Sequence, residues 1–374
     1  LKEENSLKLR EDVARKALVL RGLPEIIALH TTEMCNLRCL MCRRSEGQGG
    51  LKMSRDRLEA VCDALFPTAW KASLSGAAGE PLISDFDLVL EKALEHETRI
   101  DTVTNGTRLD LNLYRKGRPV FDHVSVSIDS CVPQVYEKIR VGASFEKLDA
   151  DLRSIAEERR TNPDGVLFSL SSVVMRSTLP HMEDLIRYTR DLGLDGLILQ
   201  RLFPEVPYAH DQDPMGDIES LRTILESFRK TAEELKVNLF LNEFGLENLI
   251  VSPLRAKVPP QLEVEGICWY PFQHIGVQPT GEVFPCPLPT TYLLGDVNHQ
   301  SPEEIWNSRA AQELRAVHYA GKGSLFCSGC MHAPHLAPRR PVWLIGWLRR
   351  RAMRRAEARH LKARGRRRGS QVKP

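Results

Sequence analysis

The chain has 374 residues, 42% of them hydrophobic and 27% charged, enough for a sizeable core and more than one globular domain. No apolar run approaches the ~20 residues that span a bilayer, and Leu1 to Arg21 is charged throughout with no signal-peptide apolar segment, which sets aside a spanning or exported chain and points to the cytoplasm. The net charge of +3 hides an asymmetry: residues 339–374 carry 14 Lys/Arg and one acid, Glu357, leaving 38 basic against 48 acidic residues in 1–338, so the body is no nucleic-acid surface and the tail is a separate basic device.

Residues 4–22 have helical composition and form an N-terminal extension over 1–24. Leu23-Pro-Glu-Ile-Ile-Ala-Leu reads as a first strand, which runs directly into Cys35-Asn-Leu-Arg-Cys39-Leu-Met-Cys42. Ser54 can cap a helix to Phe66 with Leu58, Val61 and Leu65 as its apolar stripe. Lys71-Ala-Ser-Leu-Ser is a second strand, Phe86 to Leu94 a helix, Arg99 to Thr104 a third strand and His123 to Ile128 a fourth. A helical region including Phe145 to Glu158 follows, then a fifth strand over Val166–Val174, a helix from His181 to Leu192, a sixth strand over Gly196–Gln200 and a helix from Asp217 to Leu235. Six strand–helix units over 25–252 predict a parallel sheet with right-handed crossovers, with chemistry at the carboxyl ends of the strands.

The pattern changes after Ser252, where Pro253, Pro259 and Pro260 mark a linker. Gln273 to Gln278, a Pro-Thr-Gly turn and Glu282-Val-Phe read as a hairpin, followed by a helix over about Pro302 to Val317. Residues 253–338 also hold Cys268, Cys286, Cys327 and Cys330, which predicts a small domain organised by metal. The tail, 339–374, opens on Pro341-Val-Trp-Leu-Ile-Gly-Trp347-Leu and continues into a dense cationic stretch. That composition suits an anchor on an anionic membrane surface, peripheral at the inner face, as well as it suits a solvated tail. The basic part has no interleaved aromatics, which argues against nucleic acid.

Nine cysteines in a chain without an export signal point to metal or redox chemistry. Three thiolates on one short loop ligate three irons of a cubane cluster and leave the fourth iron without a protein ligand, open to bind and reduce something. The same three can ligate zinc, with His30 or a distant residue as the fourth ligand. The second strand ends in Gly76-Ala-Ala-Gly79-Glu80-Pro81, the third in Thr104-Asn105-Gly106 and the fourth in Ser127-Ile-Asp129. Glycines there let the backbone approach a ligand closely, and Glu80 can accept hydrogen bonds from an ammonium group.

On these motifs, residues 25–240 resemble a radical S-adenosylmethionine (radical SAM) enzyme. The resemblance implies an α/β fold, a partial (β/α)6 TIM-like barrel. It implies that Cys35, Cys39 and Cys42 hold a [4Fe-4S] cluster whose fourth iron is chelated by S-adenosylmethionine (SAM). Gly79 and Glu80 match the segment that contacts the SAM amino group, Ser127 and Asp129 the positions near the ribose, and Arg140 a basic residue that meets the carboxylate. Leu197 to Gln200 fall where the family's adenine-contacting strand lies, and Met41 stands where the family has an aromatic. The second domain resembles the SPASM/twitch extension, including Trp269-Tyr-Pro-Phe272 and Glu304-Ile-Trp306-Asn-Ser. No cysteine follows Cys330, so one auxiliary [4Fe-4S] cluster on Cys268, Cys286, Cys327 and Cys330 is expected, the alternative being a zinc ribbon.

The chemistry implied is reductive cleavage of SAM to a 5′-deoxyadenosyl radical that abstracts hydrogen from substrate, with electrons from a flavodoxin- or ferredoxin-type donor. The first reading is oxidation or epimerisation of a small-molecule or glycan-like substrate. The second is a ribosomal-peptide maturase, for which few residues precede the barrel to serve as a leader-binding domain. The third is a non-catalytic iron–sulfur or zinc scaffold. Cys131, just after the fourth strand, is a candidate hydrogen-atom donor or an incidental loop cysteine, and Cys62 reads as a small buried hydrophobe. Glu205, Tyr208, His210 and Asp211 crowd the same rim.

Overall fold

In the computed structural model, residues 1–42, 50–74, 79–202, 208–242, 267–286, 292–321 and 327 are described. The elements are α1 (Lys2–Ala14), β1 (Ile26–Leu29), α2 (Arg55–Leu65), β2 (Lys71–Leu74), α3 (Phe86–His96), β3 (Arg99–Thr104), α4 (Leu111–Gly117), β4 (Phe121–Ser127), α5 (Pro133–Ile139) and α6 (Phe145–Thr161). They continue as β5 (Leu167–Val174), α7 (Met182–Asp191), β6 (Gly196–Arg201), α8 (Ala209–Gln212), α9 (Ile218–Leu235) and β7 (Asn238–Asn242). Last come α10 (Tyr270–Gln273), β8 (His274–Val277), β9 (Glu282–Phe284), β10 (Gly295–Asp296), α11 (Pro302–Trp306) and α12 (Arg309–Tyr319). The chain divides into two units, one holding residues 28–259 and 278–280, the other 1–27 with the described parts of 260–277 and 281–374.

The first unit is built on a parallel sheet in the order β1-β2-β3-β4-β5-β6-β7. Each strand pairs with its successor in sequence, as helical crossovers of one hand require. The six expected strands are present, and β7 adds a seventh, with Leu197 opposite Leu239 and Leu199 opposite Leu241. It follows a left-handed residue at Lys236 (φ 57°) that ends α9, a one-residue reversal with no glycine to announce it. The helix α4 is also additional to the reading of the sequence. Its Asp110 cap accepts the Leu113 N–H at 2.8 Å, and seven residues are too few for a clear apolar period.

Alternation along the strands assigns their two faces. Phe168 packs edge-on against Tyr114 of α4 at 5.8 Å, and the Ser172 hydroxyl contacts Met182 of α7 at 3.8 Å. The face carrying Phe168, Leu170 and Ser172 therefore meets the helices. Ser169 and Ser171 lie on the opposite, inner face.

In the second unit α1 ends at Ala14, eight residues short of the expected helix. Lys16 takes φ 57°, and buried Asp12 accepts hydrogen bonds from the Arg21 backbone and side chain. Helical composition continues through this turn, but satisfying a buried carboxylate outweighs it. Residues 20–22 are held by the last residue of α11 and the one after it. Trp306, fully buried, donates Nε1–H to the Gly22 carbonyl at 2.9 Å, and Asn307 exchanges two hydrogen bonds with Leu20, each 2.9 Å. A capping box between Ser301 and Glu304 starts α11 and orients that tryptophan. The expected hairpin is β8–β9, closed through Gly281 at φ 97°.

Candidate active site

The cysteine loop is fixed at both ends by backbone hydrogen bonds. Entering it, Glu33 N–H reaches Leu51 O at 2.6 Å and Met53 N–H reaches Thr31 O at 2.9 Å. Glu80 N–H closes the other side on Met34 O at 2.8 Å. Gly79 permits that approach, since a Cβ there would stand 2.5 Å from Met34 O and 2.6 Å from Thr32 O. Leaving the loop, Arg38 N–H bonds to Val141 O and Leu40 N–H to Ile139 O, both at 2.9 Å. Leu37 and Met41 are buried between the cysteines, while Cys35 and Cys42 are exposed and Cys39 is partly buried.

Cys35 Sγ accepts from Leu37 N–H at 3.4 Å and from Asn105 Nδ2 at 3.7 Å. Burial raises its thiol, with Glu80 and Cys42 adding to the rise. Burial pushes Cys39 up to about 11, while Arg140 favours its thiolate and Asp129, Cys35 and Cys42 oppose it. The three thiols are thus within electrostatic reach of one another, though no group of three or more His, Cys, Asp or Glu among the described residues gathers closely enough about one point for a metal ion. Neighbouring thiolates that repel each other are stabilised by a cationic partner, which bound iron would supply.

Glu80 is 3% exposed, with both oxygens engaged. Oε1 accepts from Leu82 N–H at 3.1 Å and Thr104 Oγ at 2.6 Å, and Oε2 from Asn105 N–H at 2.7 Å. Burial raises its pKa against those three donors. The carboxylate thereby ties the end of β2 to the end of β3, and Asn105 continues the tie to Cys35 and, at 2.9 Å, to Asn36. Thr104 and Asn105 stood out in the sequence only as a strand end.

Asp129 and Arg140 form a buried pair. Asp129 Oδ1 accepts from Val173 N–H at 2.9 Å, and Oδ2 lies 2.7 Å from Arg140 Nε. Burial works against the guanidinium charge, but Asp129 first, then Cys39 and Tyr136, hold it above its ordinary value. Ser127 is half-buried at the carboxyl end of β4, opposite Ser171. Beside these groups Met41, Ile139, Met175 and Leu202 form an apolar cluster that includes Cys39 and Tyr208 at its edge. Leu199 shares the helix-facing side with Ser172, its partner in register, so the residue of this region that meets Met41 is Leu202. Three thiols, a buried charged pair and an apolar patch fit the donor set for an iron–sulfur cluster and a ligand with both charged and apolar ends.

Below these groups the inner face carries small hydroxyls set among apolar side chains, with Val103 beside Ser125, Leu167 beside His123 and Ile198 beside Ser171. Ser125 pairs with Ser169 and Ser127 with Ser171 across β4 and β5, while Ser73 and His123 flank Asp101. His123 Nε2 is 2.7 Å from Ser169 Oγ, and burial lowers its pKa. Lys71 Nζ lies 2.6 Å from Asp101 and 2.9 Å from Asp122. Ser125 Oγ and Asp101 Oδ1 are buried without a hydrogen-bond partner.

Cys131 is half-buried with Asp184 and Tyr188 of α7 as its electrostatic neighbours; burial first, then Asp184, raises its thiol. Cys62 is fully buried on the apolar stripe of α2. His210 and Asp211 are exposed on α8, while Glu205 lies outside the described residues.

In the other unit Cys268, Cys286 and Cys327 are each partly exposed, and Cys330 and the tail lie outside the described residues. Trp269 stacks on Tyr270 at 3.9 Å, and His274 Nδ1 contacts Pro285 O at 3.3 Å. These contacts bring the segments bearing Cys268 and Cys286 to one end of the β8–β9 hairpin. Phe272 meets Tyr319 of α12 at 4.9 Å, and His318 of the same helix contacts Cys327 at 3.7 Å. These three thiols come from separate segments and are the donor type an iron–sulfur cluster takes, though among the described residues they do not gather about one point.

Residues 29–195 match the family described as the Radical SAM superfamily, and residues 268–331 match SPASM, an iron–sulfur cluster-binding domain. The chain is 26% identical over 238 residues to a probable GTP 3′,8-cyclase of Methanococcus maripaludis, covering 60% of this chain and 75% of that one. It is 22% identical over 342 residues to an AdoMet-dependent heme synthase of Methanosarcina barkeri, covering 84% and 93%. Among solved structures, Streptococcus suis SuiB bound to S-adenosylmethionine aligns with a TM-score of 0.61 at 13% identity, covering 87% of this chain and 75% of that one. Native anSMEcpe with bound AdoMet aligns with a TM-score of 0.54 at 18% identity, covering 79% and 83%. At such identities the likeness to these structures is one of fold.

Proposed function

Because the chain belongs to the radical SAM superfamily and carries a C-terminal SPASM domain, we propose that it is an enzyme acting on a small polar, glycan-like molecule, which it oxidises or epimerises. When bound, a reduced [4Fe-4S] cluster and SAM supply a 5′-deoxyadenosyl radical that abstracts a hydrogen atom from the substrate. Cys35, Cys39 and Cys42 would hold that cluster. The Gly79–Glu80 backbone, Ser127, Asp129, Arg140 and the Met41 patch would hold SAM.

The observation that carries the substrate class is the inner wall. From His123 to Ser127 this mixed face, with serine hydroxyls among apolar side chains, spans about 13 Å at ~3.3 Å per residue, the length of a small molecule. Ser125 Oγ, buried without a hydrogen-bond partner, is a group that a polar substrate can satisfy. The names of the curated relatives point to unlike substrates, so none is carried over. Peptide maturation is the second reading. SuiB has been solved with its precursor peptide, a likeness of fold alone.

The auxiliary cysteines would hold one cluster that carries electrons, with a flavodoxin- or ferredoxin-type protein as the external donor. If the outcome is epimerisation, Cys131 is the proposed donor of the returning hydrogen atom, and Cys131→Ala forming product at the wild-type rate removes that role. The reading is tested by incubating reconstituted protein with SAM and a strong reductant. 5′-Deoxyadenosine is expected, with its formation stimulated by soluble glycan fragments over peptides. No 5′-deoxyadenosine leaves the scaffold reading.

A further inference from the structure

The helix α12 carries a histidine that the family motifs do not account for. His318 is 1% exposed, and its Nε2 lies 3.7 Å from Cys327 Sγ. The other ring nitrogen, Nδ1, is buried and has no hydrogen-bond partner. A neutral imidazole carries one proton, and its place follows from these two contacts. A proton on Nδ1 would leave a buried N–H unpaired and turn the Nε2 lone pair toward sulfur. A proton on Nε2 satisfies the N–H on sulfur and leaves only an acceptor unpaired, the smaller penalty. Once Cys327 is a thiolate ligand it has no proton of its own, so the hydrogen in this contact is the one on Nε2.

We propose that His318 donates Nε2–H to the Cys327 thiolate and sets the reduction potential of the auxiliary cluster, as a positioning residue. The inference rests on the reading that Cys268, Cys286, Cys327 and Cys330 hold that cluster. Hydrogen bonds to ligating sulfur tune such potentials. A donor on sulfur stabilises the more negative, reduced state more than the oxidised one, so the bond raises the potential and makes the cluster a better acceptor. The surroundings hold the ring in place. On the same face of α12, Arg315 is fully buried, lies 4.5 Å from the Trp306 ring centre, and sends its N–H groups to the carbonyls of Leu18, Pro271 and Trp306. His318 therefore sits on a rigid support, one turn from a buried cation.

The test is a potentiometric titration of the reconstituted full chain followed by electron paramagnetic resonance, comparing wild type with His318→Leu and His318→Gln. Iron and sulfide are counted first, with about eight irons expected for two cubanes. His318→Leu is expected to lower the auxiliary potential by about 59 mV, a tenfold change in the one-electron equilibrium. His318→Gln, whose amide N–H can replace Nε2–H, is expected to stay near wild type. An unchanged potential in His318→Leu with eight irons present overturns the inference and leaves the two-cluster reading standing. A count of about four irons in wild type overturns both. Should His318→Leu fail to take up the cluster, wild type labelled with 15N-histidine decides the matter. A histidine nitrogen coupling on the reduced auxiliary cluster supports the bond, and its absence overturns it.

Discussion

Glu80 illustrates how a residue placed by its motif does structural work as well. Its carboxylate accepts from Leu82, Thr104 and Asn105 in a site 3% exposed. Glu80→Gln replaces an acceptor oxygen with an NH2 that faces donors. The variant is expected to be less stable by about 1–3 kcal/mol even without cluster or SAM, read as a lower urea midpoint of the metal-free protein; an unchanged midpoint would show that the three bonds carry no stability. Asp101 gives a pH signature. Burial raises its pKa to about 6 against the pull of Lys71, whereas an unfolded aspartate ionises near ~3.9. Between those values the folded chain keeps a proton that the unfolded chain has released. The stability this confers is full below about pH 4 and is lost as pH rises through about 6. Wild type should therefore lose stability relative to Asp101→Asn over that window, and parallel pH profiles of the two would refute the shift.

At the level of elements, the loop from Cys35 to Cys42 depends on backbone approaches more than on side chains. Gly79→Ala would press a methyl group against Met34 O and Thr32 O, two atoms that cannot rotate away. The atoms nearest that methyl belong to residues 32–34, which lie in no helix, so helicity by circular dichroism should be retained while iron bound per chain falls several-fold on reconstitution; full iron uptake would show that the loop yields. The three cysteines were legible in the sequence because ligands on one loop need only local spacing, and strand alternation made six of the seven parallel strands legible. The inner wall was not. Serine is common in strands and turns alike, and whether Ser125 and Ser169 face helices or the interior depends on which residues Tyr114 and Met182 cover. The tie from Glu80 through Asn105 to Cys35 spans three strand ends, and no local pattern encodes it. His318 belongs to no motif, and only the fold of α12 brings it to Cys327.

Across the whole molecule charge is unevenly distributed, with a tail of 14 Lys/Arg against one acid beyond residue 338. Among the described residues no helix is long and apolar enough to cross a membrane; the tail's apolar run, Val342 to Leu348, is far short of the ~20 residues that span one, so lipid contact by the proposed anchor would be interfacial and electrostatic. Removing residues 341–374 is expected to abolish sedimentation with phosphatidylserine vesicles, an effect that moderate salt should mimic in the full chain. Equal sedimentation of the two proteins would remove the membrane role. The hydrogen bonds from Trp306 and Asn307 to Gly22 and Leu20 join residues 284 and 287 positions apart. During synthesis at ~5–20 residues per second, Leu20 and Gly22 wait roughly 15–60 s for those partners to emerge. Residues 20–22 are thus finished long after they are made, which makes that stretch a point of vulnerability to chaperones and proteases while the chain is still growing.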